Sequence, residues 1–247
     1  AGARDVVADR SDGGEVVARV RSALEMLAMG HMLSDASVVL EERVRERTRE
    51  LQEARSEVLE RLVVAAEFRD DDTRDHTRRV GETGALLAAA AGLDAGEVET
   101  IRLAAPLHDI GKIGVADAVL LKRGALTDDE FSAIRIHPVI GARILWGTRA
   151  PVLKTAGEIA LCHHERWDGR GYPAGFAGED IPLSARITAV ADVFDALTHD
   201  RPYRTAWPVE RALEELRTGA ATQLDPRLAA LFDEIIRAGA LETITWS

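Results

Sequence analysis

One dense motif constrains the fold of this chain more than any other feature. It runs from His163 to Pro173 with the sequence HHERWDGRGYP, and further histidines and aspartates recur before and after it in a chain with seven histidines. Most of them lie beside apolar sequence of helical character. Burying so many ionisable groups without a metal would cost a great deal of free energy. The pattern therefore predicts a metal centre built from several helices, because imidazole and carboxylate together suit iron, manganese, zinc and related ions.

Each piece of this pattern also has an ordinary explanation. A single pair such as His108-Asp109 is usually a surface or capping pair, and Asp192 with Asp195 could form an exposed helix face. The joint order of the residues favours the metal interpretation. Along the chain the ligand-type residues are His76, His108, Asp109, His137, His163, His164 and Asp192.

The chain beyond residue 62 has the pattern of one helix after another. Asp94 is placed to cap a helix that we expect to run through Asp109, bent by Pro106. Residues 127–130 (TDDE) form a capping box that opens another helix, which His137-Pro138 interrupts. Glycines and prolines between 169 and 182 mark one long loop, and no segment has the period-two alternation of a strand. The sequence predicts an all-α fold.

The N-terminal part predicts a signalling helix. Residues 37–66 contain no glycine or proline, and apolar residues recur every seven positions, as in a parallel coiled coil. A coiled coil also needs a second apolar position in each seven-residue repeat, and Arg47 and Arg61 occupy that position. The coil would therefore be short, and a single solvated helix is the alternative. The seven-residue repeat consists of Val44, Leu51, Val58 and Ala65. We expect a homodimer through this helix, which would relay an upstream signal.

The ordered motifs resemble the HD-GYP domains, a branch of the HD superfamily of metal-dependent phosphohydrolases. The resemblance extends from about residue 62 to about residue 236, and its specific part is HHERWDGRGYP followed by DRPYR. It implies a helical HD-superfamily bundle preceded by a long N-terminal helix of coiled-coil type. The predicted divisions are 1–34, a helical remnant similar to the end of a receiver domain; 35–61, the signalling helix; and 62–247, the HD-GYP domain.

The resemblance implies roles for the ligand-type residues. One ion would be held by His76, His108, Asp109 and Asp192, and the second by Asp109, His137, His163 and His164. Iron or manganese is expected first, with zinc, nickel and cobalt as alternatives. Two such ions about 3.5–4 Å apart would share a water and supply hydroxide near neutral pH. Family members with three metals carry glutamate at the position of Asp72, so a third ion with Asp72 as ligand is left open.

The same resemblance implies hydrolysis of cyclic di-GMP to pGpG and on to GMP, with 3′,3′-cyclic GMP-AMP as a close variant. Lys112 would assist the hydroxide or the leaving oxygen, and Arg201 and Arg204 would bind substrate phosphates through planar guanidinium groups. Asp70 would contact a base. The alternatives are a catalytically silent sensor or partner-docking module, an HD phosphohydrolase acting on another nucleotide, and a structural dimeric relay. The complete ligand set counts against the silent sensor and the relay, and HHERWDGRGYP together with DRPYR counts against the other phosphohydrolase.

Composition limits the classes of molecule that the chain is expected to bind and the compartment in which it is expected to act. The net charge of −11 disfavours binding to a nucleic-acid polymer, which needs clustered Lys and Arg. The single cysteine, Cys162, fits a reducing cytoplasm, and we expect it to be a buried apolar residue before a metal ligand. We expect no membrane-spanning segment in the given sequence. The loop at 171–173 (GYP) is expected to shape the pocket wall and recruit signalling proteins.

Overall fold

The computed structural model describes residues 13–67, 74–122, 124–200 and 205–240. Within these ranges there is no β-strand, and an isolated bridge joins Ala220 to Leu224. The α-helices of the described residues are α1 Gly13–Glu67, α2 Arg74–Ala90, α3 Ala95–Ala104, α4 Asp117–Leu120, α5 Asp128–Ile134, α6 His137–Leu145, α7 Pro151–Cys162, α8 Leu183–Thr198, α9 Val209–Gly219 and α10 Pro226–Arg237. Short 3₁₀ segments occupy Ala105–Leu107, Ile110–Gly114 and Gly178–Asp180. The all-α prediction is confirmed.

The chain divides into two units, Ala1–Glu57 and Val58–Ser247. In the first unit the described residues form the greater part of α1, a helix of 55 residues. The apolar side chains of its seven-residue repeat are exposed, at 64% for Val44 and 71% for Leu51. The predicted domain divisions at residues 34 and 61 stay predictions.

A stretch of α1 is long and apolar enough, by length and composition, to cross a membrane. Its most apolar window of 18 residues has a mean hydropathy of 1.2, and none of that window is buried. The expectation that the chain has no membrane segment stays a prediction.

The second unit packs around α8. Ile187, Val190 and Phe194 of this helix lie in a core with residues of α2, α9 and α10. Ala191, which adjoins Ile187 and Phe194 on the surface of α8, lies in a second core with α7 and the segment before His108. Fully burying one large aliphatic or aromatic side chain contributes about 1.5–3 kcal/mol. Because α8 contributes residues to both cores, its packing fixes its register and with it the position of Asp192.

The predicted cap at Asp94 and the predicted capping box at Thr127 are confirmed, but one helix end is not where we expected it. Asp94 caps α3 together with Glu97, and Thr127 caps α5 together with Glu130. Helix α3 ends at Ala104 and does not continue through Asp109. Pro106 has no N–H for an α-helical hydrogen bond, and the chain tightens into the 3₁₀ segment Ala105–Leu107. His108 and Asp109 consequently lie at the junction of two 3₁₀ segments.

Candidate metal centre

The ligand-type residues come from separate elements that meet in the second unit. His76 lies on α2, the His108-Asp109 pair follows α3, and His137 begins α6. His163 and His164 directly follow the last turn of α7, and Asp192 lies on α8. The first and the last of these residues are 116 positions apart in the chain, and the packing of the helices brings all of them together.

Their side chains form two groups that could each hold a metal ion. The Asp109 group consists of Asp109, His137, His163 and His164, and the His76 group consists of His76, His108 and Asp192. In each group one ligand atom from every residue lies within 4.8 Å of the others. The division matches the predicted ligand sets, apart from Asp109, which falls in one group only.

Asp109 lies between the two groups. Its Oδ1 atom is 3.1 Å from His137 Nε2 and 3.5 Å from His163 Nε2. Its Oδ2 atom is 3.3 Å from Nε2 of His108, which belongs to the other group. The carboxylate thus offers one oxygen to each side, which is the arrangement that a ligand shared by two ions requires.

Backbone carbonyls orient three of the buried histidines. The Nδ1–H group of His108 donates to Ala105 O at 2.9 Å, and that of His137 donates to Ile134 O at 2.8 Å. His163 Nδ1 lies 3.0 Å from Ala160 O. In the neutral ring with the proton on Nδ1, Nε2 carries the lone pair that could bind an ion, and Nε2 is the atom that points into the group; His108 reaches this form when it releases its second proton. Histidines that bind metals are held in this way by the hydrogen bond at their other nitrogen.

Two buried atoms of the centre lack a hydrogen-bond partner among the described residues: His108 Nε2 and Asp109 Oδ1. Leaving a buried polar atom unpaired costs about 1–3 kcal/mol. One divalent cation in each group would satisfy these two atoms, His108 Nε2 in the His76 group and Asp109 Oδ1 in the Asp109 group. The residues present therefore fit a bound metal better than they fit a purely structural cluster.

The pKa shifts of the centre reflect its burial and its charges. Burial alone would raise the pKa of Asp109, but the positive charges of Lys112 and His108 hold it well below its usual range. Burial alone would lower the pKa of His108, but Asp109 and Asp192 raise it to about 9. Burial lowers the pKa of His163 and of His164. The last two rings are therefore neutral near pH 7, the form that binds metals.

Lys112 lies next to the Asp109 group, as its predicted role requires. Its Nζ atom is 2.8 Å from Asp109 Oδ2. The neighbouring Gly111 is equally close to the centre, because a Cβ atom built on it would lie 1.9 Å from the carbonyl oxygen of His137. This near contact sets how closely the segment that carries Asp109 approaches the start of α6.

The GYP loop packs onto the centre through residues that the sequence did not fully reveal. The ring of Tyr172 stacks on that of His164, with centroids 4.7 Å apart, and the Arg135 guanidinium lies 4.4 Å from the Tyr172 centroid. The buried Glu165 carboxylate accepts hydrogen bonds from the backbone of Ala174 and Gly175, at 2.7 and 3.1 Å. The loop therefore forms one wall of the centre, and Arg135 had no sequence signal.

A family model with the description HD domain matches residues 57–228 of the chain. The chain belongs to the HD domain family. The resemblance to the HD-GYP branch, drawn above from the motifs, is confirmed.

Curated relatives of this HD domain chain are enzymes of cyclic dinucleotide turnover. It is 42% identical over 92% of its length to the cyclic di-GMP phosphodiesterase response regulator RpfG of Xanthomonas campestris. It is 46% identical over 71% of its length to a cyclic di-GMP phosphodiesterase of Thermotoga maritima. The chain spans 59% of the first relative and 48% of the second.

A solved structure supports the HD fold. The crystal structure of a cyclic GMP-AMP specific phosphodiesterase of Vibrio cholerae superposes with a TM-score of 0.57 at 20% sequence identity. The match covers 74% of this chain and 48% of that one. At this level of identity the likeness concerns the fold alone.

Several predicted site residues of the HD domain lie outside the described residues: Asp70, Asp72, Arg201 and Arg204. Their predicted roles stay predictions. Cys162 is described, is 3% exposed and belongs to neither group. Burial raises the pKa of its thiol to about 12. It behaves as the buried small residue that the sequence favoured.

Proposed function

We propose that this chain is a metal-dependent phosphodiesterase that linearises cyclic di-GMP to pGpG and hydrolyses the product further to GMP. The observation that carries the proposal is the position of Asp109, which offers one carboxylate oxygen to each of two adjoining groups of buried ligand atoms. The curated relatives are named as cyclic di-GMP phosphodiesterases, which supports cyclic di-GMP as the proposed substrate.

The His76 group with Asp109 would hold one divalent ion, and the Asp109 group would hold the second. We propose iron or manganese as the bound metal, with zinc, nickel and cobalt as alternatives. Whether a third ion binds at Asp72 is an open question. Two adjacent ions supply an activated water and neutralise the charge that develops on a phosphodiester. His163 and His164 serve as neutral ligands, and Asp109 keeps its negative charge between the groups.

Other residues of the chain would bind and orient the substrate. Lys112, 2.8 Å from Asp109, places a positive charge at the centre, where it would donate a proton to the leaving oxygen. Arg201 and Arg204 would bind the phosphates bidentately, and Asp70 would contact a base. The Tyr172 ring, stacked on His164, would limit the pocket on one side.

Regulation would come through α1. Its exposed repeat of Val44, Leu51 and Val58 supports a homodimer by coiled-coil pairing, because such a ridge is buried only against a second helix. We propose that this helix relays a signal from an upstream receiver or sensor, that signalling proteins dock at the GYP loop, and that the enzyme acts in the cytoplasm.

The test is product analysis after anaerobic purification and reloading with iron(II) or manganese(II). Cyclic di-GMP and 3′,3′-cyclic GMP-AMP are incubated in parallel with the wild type and with Asp109→Ala, and bound metal is counted in each sample. We expect pGpG and GMP from wild type only, because Asp109→Ala loses the ligand that both ions share. Binding of cyclic di-GMP without metal or turnover would contradict the proposal and favour a silent sensor.

A further inference from the structure

Asp195 contacts a predicted metal ligand without being one itself. Its Oδ2 atom lies 2.7 Å from Nδ1 of His76, and it is absent from both groups of ligand atoms. His76 faces the metal group through its other nitrogen, since Nε2 lies 3.5 Å from Asp192 Oδ1. We propose that Asp195 is a positioning residue that holds His76 in the Nδ1–H form and directs Nε2 to the metal.

His76 differs in this respect from the other buried histidines of the centre. His108, His137 and His163 are each oriented by a backbone carbonyl three or four residues earlier. His76 receives a carboxylate from another helix, 119 residues later in the chain. A carboxylate partner fixes the orientation of a metal-binding imidazole, and loss of such a partner typically weakens metal binding 10–100-fold.

The carboxylate of Asp195 is itself held on three sides. Arg79 donates to it through two nitrogens, with Nη2 at 3.0 Å from Oδ2 and Nε bonded to Oδ1. His199 Nδ1 lies 3.1 Å from Oδ1. Asp195 is 3% exposed, so water competes little with these contacts. The carboxylate therefore has little freedom to turn away from His76.

The geometry of two helices makes this arrangement a unit. On α2, His76 and Arg79 are three residues apart and share a face, as Asp192 and Asp195 do on α8. Each helix thus supplies one residue that faces the metal and one residue of the supporting ion pair. The ion pair ties the two helices together at the point where both contribute a ligand.

The chain offers a matched control for a merely structural role. Asp225 is also a buried carboxylate, 4% exposed, and it pairs with Arg186 Nη1 at 2.6 Å. It contacts neither group of ligand atoms. Asp225 also caps α10. Its removal leaves a partly buried arginine without its carboxylate partner, as the removal of Asp195 does, but only the removal of Asp195 should affect metal binding.

The experiment is an anaerobic manganese(II) titration of the metal-free full chain, with free ion counted by electron paramagnetic resonance. We expect two ions in wild type and in Asp225→Ala at the same affinities. In Asp195→Ala one ion should bind 10–100-fold more weakly while the other is unchanged. Asp195→Asn, which keeps an acceptor oxygen but loses the charge, should show a smaller loss at the same ion.

Two results would overturn the inference: unchanged binding of both ions in Asp195→Ala, or an equal loss in Asp225→Ala. If Asp195→Ala does not fold, judged by circular dichroism, Asp195→Asn decides in its place, and unchanged binding there counts against Asp195. The inference rests on the metal centre proposed above but not on the substrate. Wild-type protein that binds no ion would overturn the centre itself.

Discussion

Replacing Gly111 by alanine should disrupt the arrangement of the Asp109 group, although Gly111 is not itself one of the proposed ligands. The added Cβ would lie 1.9 Å from His137 O and 2.5 Å from Gly141 N, both backbone atoms. Ordinary contact begins at 3.4 Å, so the two segments must separate by about 1.5 Å. Overpacking of this kind costs about 1–3 kcal/mol, occasionally more. At 2–4 °C per kcal/mol for a unit of this size, a cost of 3 kcal/mol lowers Tm by roughly 6–12 °C.

The same displacement should disrupt metal binding, because ligands must be held within about 0.5 Å of their working positions. The assay is thermal unfolding by circular dichroism with a manganese(II) count on the folded protein. Gly84→Ala is the control: its Cβ would meet Ile101 at 3.5 Å, in ordinary contact, and alanine suits a helix interior better than glycine by about 1 kcal/mol. Gly111→Ala with the Tm of wild type and two bound ions would refute the reasoning.

Three further predictions concern other parts of the chain. Arg201→Ala should weaken cyclic di-GMP binding by roughly 10–150-fold through the loss of a charged hydrogen bond, with metal content unchanged; equal KM values for variant and wild type would exclude the phosphate role. Replacing Leu51 and Val58 by glutamate should convert a dimer to a monomer, and light scattering that gives one mass for both proteins would remove the coiled coil. Cys162 should resist a thiol reagent at pH 8 until the protein unfolds, because it is buried and its pKa is raised; rapid labelling of the native protein would contradict this.

The resemblance of the ordered motifs to a known family named the residues whose side chains the structure gathers into two groups. Their roles as metal ligands stay predictions. The cap at Asp94 and the capping box at Thr127 were predictable, because a helix cap depends on residues close together in the chain.

The supporting contacts of the centre could not be read in the same way. Asp192 and Asp195 share a helix face, and nothing in their spacing shows that one faces the ligand atoms while the other faces Arg79. That difference depends on the packing of α2 on α8, more than a hundred residues away in the chain. The end of α3 was misjudged because Pro106 predicts a break but not the tighter 3₁₀ path that follows it.

The proposed function requires Asp109 to bind two metal ions. Anomalous diffraction from crystals of the manganese(II)-loaded chain, recorded at the manganese edge, would locate these ions. We expect two peaks about 3.5–4 Å apart, one beside the His76 group and one beside His137, His163 and His164, with Asp109 between them. A single peak, or peaks away from both groups, would contradict it.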